Sequence, residues 1–156
     1  MKELLIVMEY TNKKSIVMRF YNIENALFRY KCTILAKFVY HLIQILFGCT
    51  IPYSAELHGA NIAHFHGIVI HHKTKVGEGT VIYQNVTLGG RNGRGGATIG
   101  KNCVLGAGAC VLGNIRIGNN VKIGANAVIL QDVPDGCTVV GVPGKIVKRA
   151  NMHSIA

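Results

Sequence analysis

Imidazoles crowd one stretch of this chain. His58, His64, His66, His71 and His72 lie within a single short segment of a sequence that holds seven histidines in all. A neutral imidazole can take a proton from a hydroxyl, or it can hold a transition metal. General base, metal ligand and solvated surface histidine are therefore the three roles open to this group. The cysteines offer less chemistry. Cys32, Cys49, Cys103, Cys110 and Cys137 are odd in number and unevenly spaced, with no CxxC pair, so they read as buried thiols of a reduced, cytoplasmic chain. The first residues lack the basic, apolar and small-residue regions of a secretory leader, in keeping with that location.

What must position the histidines is visible from the spacing of aliphatic residues. From Ile70 the chain falls into six-residue blocks, IHHKTK, VGEGTV and IYQNVT, then LGG and an excursion. It resumes at Ile99 with IGKNCV, LGAGAC, VLGNIR, IGNNVK, IGANAV and ILQDVP. Position one is always Ile, Val or Leu. Position two is often Gly, and position five is small or β-branched. Such a short self-similar period marks a solenoid, in which three short strands and their corners close a coil of about eighteen residues. Glycine at a regular position is expected to supply the corners. Taken alone, the six-residue period would set His58 over His64 and His66 over His72, about 4.8 Å apart, close enough to share a metal.

The segment before the repeats is different. Asn22 to Phe47 contains no Gly or Pro, and Ile23, Leu27, Tyr30, Ile34, Phe38, Leu42 and Ile45 recur at helical spacing. One long helix is expected, capped near Asn22 and stopped at Gly48. Lys37, His41 and Gln44 argue against a membrane span. A core or oligomer-packing helix is preferred to one lying on a membrane surface. Three regions follow: a helical segment over residues 1–50, a repeat domain over 51–150 with an excursion loop at 91–98, and a tail at 151–156.

The 156 residues carry 17 Lys and Arg against 7 Asp and Glu, a formal charge of +10. This would suit nucleic acid, an anionic surface or a polyphosphorylated small molecule. The basic residues form no long run, and aromatic stacking platforms are scarce in the glycine-rich part, so nucleic acid is not expected as a partner.

The repeats, over about eighty residues, resemble the hexapeptide-repeat acyltransferases. That resemblance implies a mainly β fold, a left-handed parallel β-helix with an N-terminal α-helical segment. Within the superfamily, HFHGIVIHHKTKVGEGTVIYQNVTLGG, from His64 to Gly90, is similar to serine acetyltransferases and to shorter relatives from polysaccharide gene clusters. The closing GVPGKIVKR, Gly141 to Arg149, resembles the family's GVPAKIV tail, and GRNGRGGAT matches the loop that reaches over the acceptor. By this resemblance His64, just before Gly67, Ile68 and Val69, is the general base, and acetyl-CoA is the co-substrate. It also implies a homotrimer, with no metal required.

The same resemblance sets the coenzyme beside Gly106, Ala107, Gly124 and Ala125, with Lys145, Lys148 and Arg149 near its phosphates. His66, Arg91 and Arg94 would line the acceptor site, and L-serine or a sugar would be the acceptor. Two departures stand out. Cys49 or Thr50 occupies the place of the family's orienting acid, and the excursion loop has no histidine. Two readings from other classes accompany the enzyme: a histidine-rich metal-binding β-helix of the γ-carbonic-anhydrase kind, and a non-catalytic trimeric scaffold.

Overall fold

The structure is a computed structural model that describes residues 15–148, apart from Arg94. Arg149, the tail and the first fourteen residues lie outside the described residues, so nothing about Arg94 or Arg149 is tested by it. Among the described residues two helices, α1 (Ile16–Arg29) and α2 (Thr33–Phe47), precede fourteen short strands.

The strands are β1 (Glu56–Leu57), β2 (Asn61–Ile62), β3 (Val69–Ile70), β4 (Lys75–Val76), β5 (Val81–Ile82), β6 (Thr87–Gly89) and β7 (Thr98–Ile99). They continue as β8 (Val104–Leu105), β9 (Cys110–Leu112), β10 (Arg116–Ile117), β11 (Lys122–Ile123), β12 (Val128–Ile129), β13 (Thr138–Val140) and β14 (Lys145–Lys148). They form three parallel sheets that are the sides of a β-helix: β1-β4-β7-β10, β2-β5-β8-β11-β13 and β3-β6-β9-β12. β14 turns back antiparallel onto β13 and ends the described part of the solenoid.

The coil interior is built from the repeat. Position-one residues Ile70, Val76, Ile82, Leu88, Ile99, Leu105, Val111, Ile117, Ile123 and Ile129 are all buried, and each fully buried aliphatic contributes about 1.5–3 kcal/mol. Position five fills the remaining space with Thr74, Thr80, Val86, Cys103, Ala109, Val121, Ala127 and Val133, all buried as well. In register, Ile99 pairs with Ile117, and Val76 with Ile99. The second step is five residues longer than the first, and the excursion supplies the difference. Thr98, expected in the loop, belongs to β7 and pairs with Lys75.

Two expectations about local structure are corrected. The helical segment is not one helix from Asn22. It begins at Ile16 and is broken at Lys31, whose φ of 63° is left-handed. Lys31 N–H donates to the Phe28 carbonyl and Cys32 N–H to that of Leu27, the paired bonds that close a helix C-terminus without glycine. Gly48 does stop α2, with φ 61°. The second correction concerns glycine. At position two it keeps an ordinary φ and instead permits coil contact: a Cβ on Gly77 would lie 2.7 Å from the Gly100 backbone. The left-handed corner falls at position four, on Gly79, Asn85, Asn102, Gly108, Asn120 and Asn126.

Helix α1 is tied to the first coil by polar contacts. The Tyr21 hydroxyl donates to the Ala55 carbonyl at 2.5 Å and accepts from Leu57 N–H at 3.3 Å. Asn25 Nδ2 donates to the Tyr53 carbonyl at 2.7 Å. Beside them Glu24 is 0% exposed, with neither carboxylate oxygen partnered. Desolvation raises its pKa to about 8.

A raised carboxyl pKa means that the fold binds this proton more tightly than the unfolded chain does. Stability is therefore whole below the usual carboxylate range and falls as pH climbs towards 8. Glu24→Gln is expected to melt like the parent near pH 4 and roughly 3–8 °C higher near pH 8, as read by thermal denaturation across that range.

Candidate functional site

His64 sits on the corner that leads from β2 to β3. The sheet register stacks later residues above it. Ile62, Ile82, Leu105 and Ile123 are successive partners, so Tyr83, Gly106 and Gly124 follow one another along the edge that starts at Ala63 and His64. Four of the seven expected coenzyme contacts, Gly106, Ala107, Gly124 and Ala125, thus share the edge of the expected base. At about 4.8 Å per coil, Gly124 stands about 14 Å from the His64 level. Lys145 and Lys148 are exposed on β14, beyond β13 at the far end of the same sheet.

The helices hold this corner from behind. Phe65, between His64 and His66, packs edge-on against Phe47 of α2 at 5.3 Å, and Phe47 packs against Phe20 of α1 at 5.5 Å. The Cys49 thiol donates to the Phe65 carbonyl. Burial pushes that thiol's pKa up, so it remains protonated and supplies no anion. Thr50 is held in the ladder by its backbone, donating to the Ile68 carbonyl and accepting from Ile70 N–H, both at 2.8 Å. Neither residue that stands in the acid's place is a carboxylate. What the His64 ring does meet is Tyr83, at 5.9 Å between centroids.

Tyr83 was not singled out in the sequence, although a signal was present. It is an aromatic at block position two, where glycine is usual.

His66 shares the corner. Its ring lies 4.8 Å from that of Phe65, and its carbonyl accepts from Asn85 N–H at 2.8 Å. The other histidines go elsewhere. His58 pairs with Glu56 at 3.1 Å, and Glu56 also holds Lys75 at 2.9 Å; these hydrogen bonds, Lys75 first, keep its carboxyl below the usual range. His71 and His72 stack at 4.2 Å at the opposite end of the β3 side. The His71 pKa is lowered by burial first and then by the His72 and Lys73 charges.

The expected stacking of His58 on His64 and of His66 on His72 is therefore wrong. Neighbours six residues apart fall on successive sides of the coil, and stacking partners are a whole coil apart, as Val69 is from Thr87. Among the described residues no three His, Cys, Asp or Glu side chains converge as metal ligands.

Arg91 is also not beside His64. It lines a cleft of about 480 Å³ with Asn92, Leu112, Gly113, Asn114, Ile115 and Leu130, at the end of the β3-β6-β9-β12 side away from the His64 edge. The excursion loop is partly pinned. A Cβ on Gly95 would lie 2.4 Å from His71 Nε2, and one on Gly96 2.6 Å from the Lys73 carbonyl oxygen, whereas Gly93 meets nothing within 4 Å. The N–H groups of Gly106 and Gly124, expected to contact the coenzyme, already donate to the Ile123 and Val139 carbonyls.

With this geometry in place, likeness to known proteins is informative. The family described as bacterial transferase hexapeptide (six repeats) matches residues 96–131. A serine acetyltransferase of Synechococcus elongatus is 42% identical over 137 residues, 85% of this chain and 56% of that protein. The solved serine acetyltransferase of Neisseria gonorrhoeae in complex with serine superposes with a TM-score of 0.79 at 38% identity, covering 83% of this chain and 54% of that one. That of Brucella abortus in complex with coenzyme A gives a TM-score of 0.80 at 30% identity, covering 85% of this chain and 54% of that one. The chain spans about half the length of the relatives it matches.

Gly93 and Gly96 both have positive φ, but only Gly96 is also pressed on backbone. Gly96→Ala should lower the melting temperature by roughly 5 °C or more, and Gly93→Ala by clearly less, in parallel thermal melts. Equal losses would mean that the loop is not held against Lys73.

Proposed function

The chain belongs to the hexapeptide-repeat acyltransferase superfamily, in its serine acetyltransferase-like part, and from that premise we propose that it is an acetyl-CoA-dependent O-acetyltransferase with His64 as general base. The observation that carries this reading is the edge shared by His64 with Gly106, Ala107, Gly124 and Ala125. A pantetheine arm laid along small corner residues would bring its thioester down to the imidazole. Lys145 and Lys148, with Arg149 following in sequence, would receive the phosphates at the far end.

The chemistry needs little else. A ring nitrogen of His64 takes the acceptor hydroxyl proton as the oxygen attacks the thioester carbonyl carbon. The C–O bond forms, the tetrahedral intermediate collapses with cleavage of C–S, and the departing thiolate takes the proton back from the imidazolium. The Tyr83 ring limits the orientations open to the imidazole, in the absence of a carboxylate from Cys49 or Thr50. His66 stands next to the reacting corner and would line the acceptor.

Arg91 and the loop would contribute from a neighbouring subunit, since within one chain they occupy a different edge of the coil. A closed threefold arrangement sets one edge of each copy against another edge of the next, which accounts for both sets of residues in a homotrimer. L-serine is the acceptor favoured by the relative that binds it. A sugar hydroxyl is the second reading, favoured by a loop that carries Arg91 and Arg94 and no histidine. A cytoplasmic location goes with five free cysteines and an acetyl-CoA co-substrate.

The test is release of free thiol from acetyl-CoA with serine, homoserine and a panel of sugars. Acceptor-dependent release is expected. It should fall at least about a hundredfold in His64→Ala, with coenzyme A affinity by calorimetry unchanged. A His64→Ala enzyme near the parent rate, with a dead His66→Ala, would transfer the role to His66.

A further inference from the structure

The apolar repeat read from the sequence of the helical segment is present, but it faces outward. Ala36 and Ile43 are the buried residues of α2. On the side of the helix away from them, Ile34 is 85% exposed, Phe38 61% and Ile45 79%, with Leu35 and Leu46 beside them. At the tip of the helix pair Tyr30 is exposed too. An exposed apolar face of this kind, interrupted only by the exposed His41, implies a partner.

Charge identifies the partner's chemistry. Residues 15–55 hold Arg19, Arg29, Lys31 and Lys37, all exposed, and a single carboxylate, Glu24, which is buried. Of these, Lys31 and Lys37 adjoin the α2 face; the next acid in the chain, Glu56, is engaged by Lys75 and His58. A second copy docked face to face through this patch would set like charges against one another. An anionic bilayer would instead accept the aliphatic and aromatic side chains between its headgroups and draw in the flanking lysines. Among the described residues no helix is long and apolar enough to cross a membrane, so the contact is a surface one.

We propose that α2 and the Tyr30–Lys31 tip dock this protein on an anionic lipid surface, through Ile34, Phe38 and Ile45 with Lys31 and Lys37 at the rim. The face lies on the helical segment and the His64 edge on the coil, so docking and acetyl transfer are separable.

Co-sedimentation of the full chain with vesicles tests this, using phosphatidylcholine alone and phosphatidylcholine mixed with phosphatidylglycerol. Binding is expected to the mixed vesicles only, reversed by high salt. Phe38→Glu with Ile45→Glu should weaken it at least about tenfold. Lys31→Glu with Lys37→Glu should weaken it at least about twenty-five-fold, at about fivefold per cation. Both variants should keep the parent thermal melt and the parent rate of thiol release. A parent chain left in the supernatant with both vesicles overturns the proposal. So does a Phe38→Glu, Ile45→Glu variant whose particle mass falls in light scattering while vesicle binding is retained, which would assign the face to a second copy.

Discussion

Everything in the coil depends on how closely one turn can approach the next. A Cβ on Gly77, Gly100 or Gly106 would fall under 3 Å from backbone of the following coil, so at these corners the stack closes because position two is bare. At position four the same closeness produces a different solution. Gly67, Asn85, Gly108 and Asn126 all have left-handed φ, and each donates its N–H to a carbonyl one coil below. A Cβ on Gly67 would meet Asn85 Oδ1 at 2.1 Å, and one on Gly108 would meet Asn126 Oδ1 at 2.2 Å. In this column asparagine and glycine alternate, each carboxamide lying over a bare Cα, whereas in the neighbouring column Asn120 follows Asn102 directly. Asparagine tolerates the left-handed corner better than other side chains do.

That rigid stack is what allows a site to be made from residues far apart in sequence. Ala63, Tyr83, Gly106 and Gly124 share one edge because the pairing of β2, β5, β8 and β11 leaves no freedom to slip. The exception to smallness on that edge, Tyr83, lies against His64. The helices add a second constraint through Phe20, Phe47 and Phe65, a chain of edge contacts ending between the two corner histidines. They carry an energetic burden as well, since Glu24 is buried without a partner among the packed side chains.

Much of this was legible in the sequence. The block period predicted the buried position-one residues, and the register sets His64 on the edge that Gly106 and Gly124 share. Three things were not legible, each for a physical reason. The break at Lys31 has neither Gly nor Pro to announce it, because backbone hydrogen bonds close the helix around a left-handed lysine. The stacking of His58 on His64 failed because six residues is the length of a side, whereas vertical neighbours are set by a whole coil. The outward direction of Ile34, Phe38 and Ile45 could not be read from periodicity, which defines a stripe without saying whether the protein covers it.

The central claim is that the small-residue edge carries a thioester down to His64. A crystal structure of the chain with coenzyme A bound tests it most directly. The account predicts the pantetheine arm along Gly106, Ala107, Gly124 and Ala125, with the sulfur about 3–4 Å from a His64 imidazole of the assembly. A coenzyme whose sulfur lies beyond about 10 Å from every His64 would contradict it, whatever else it touched.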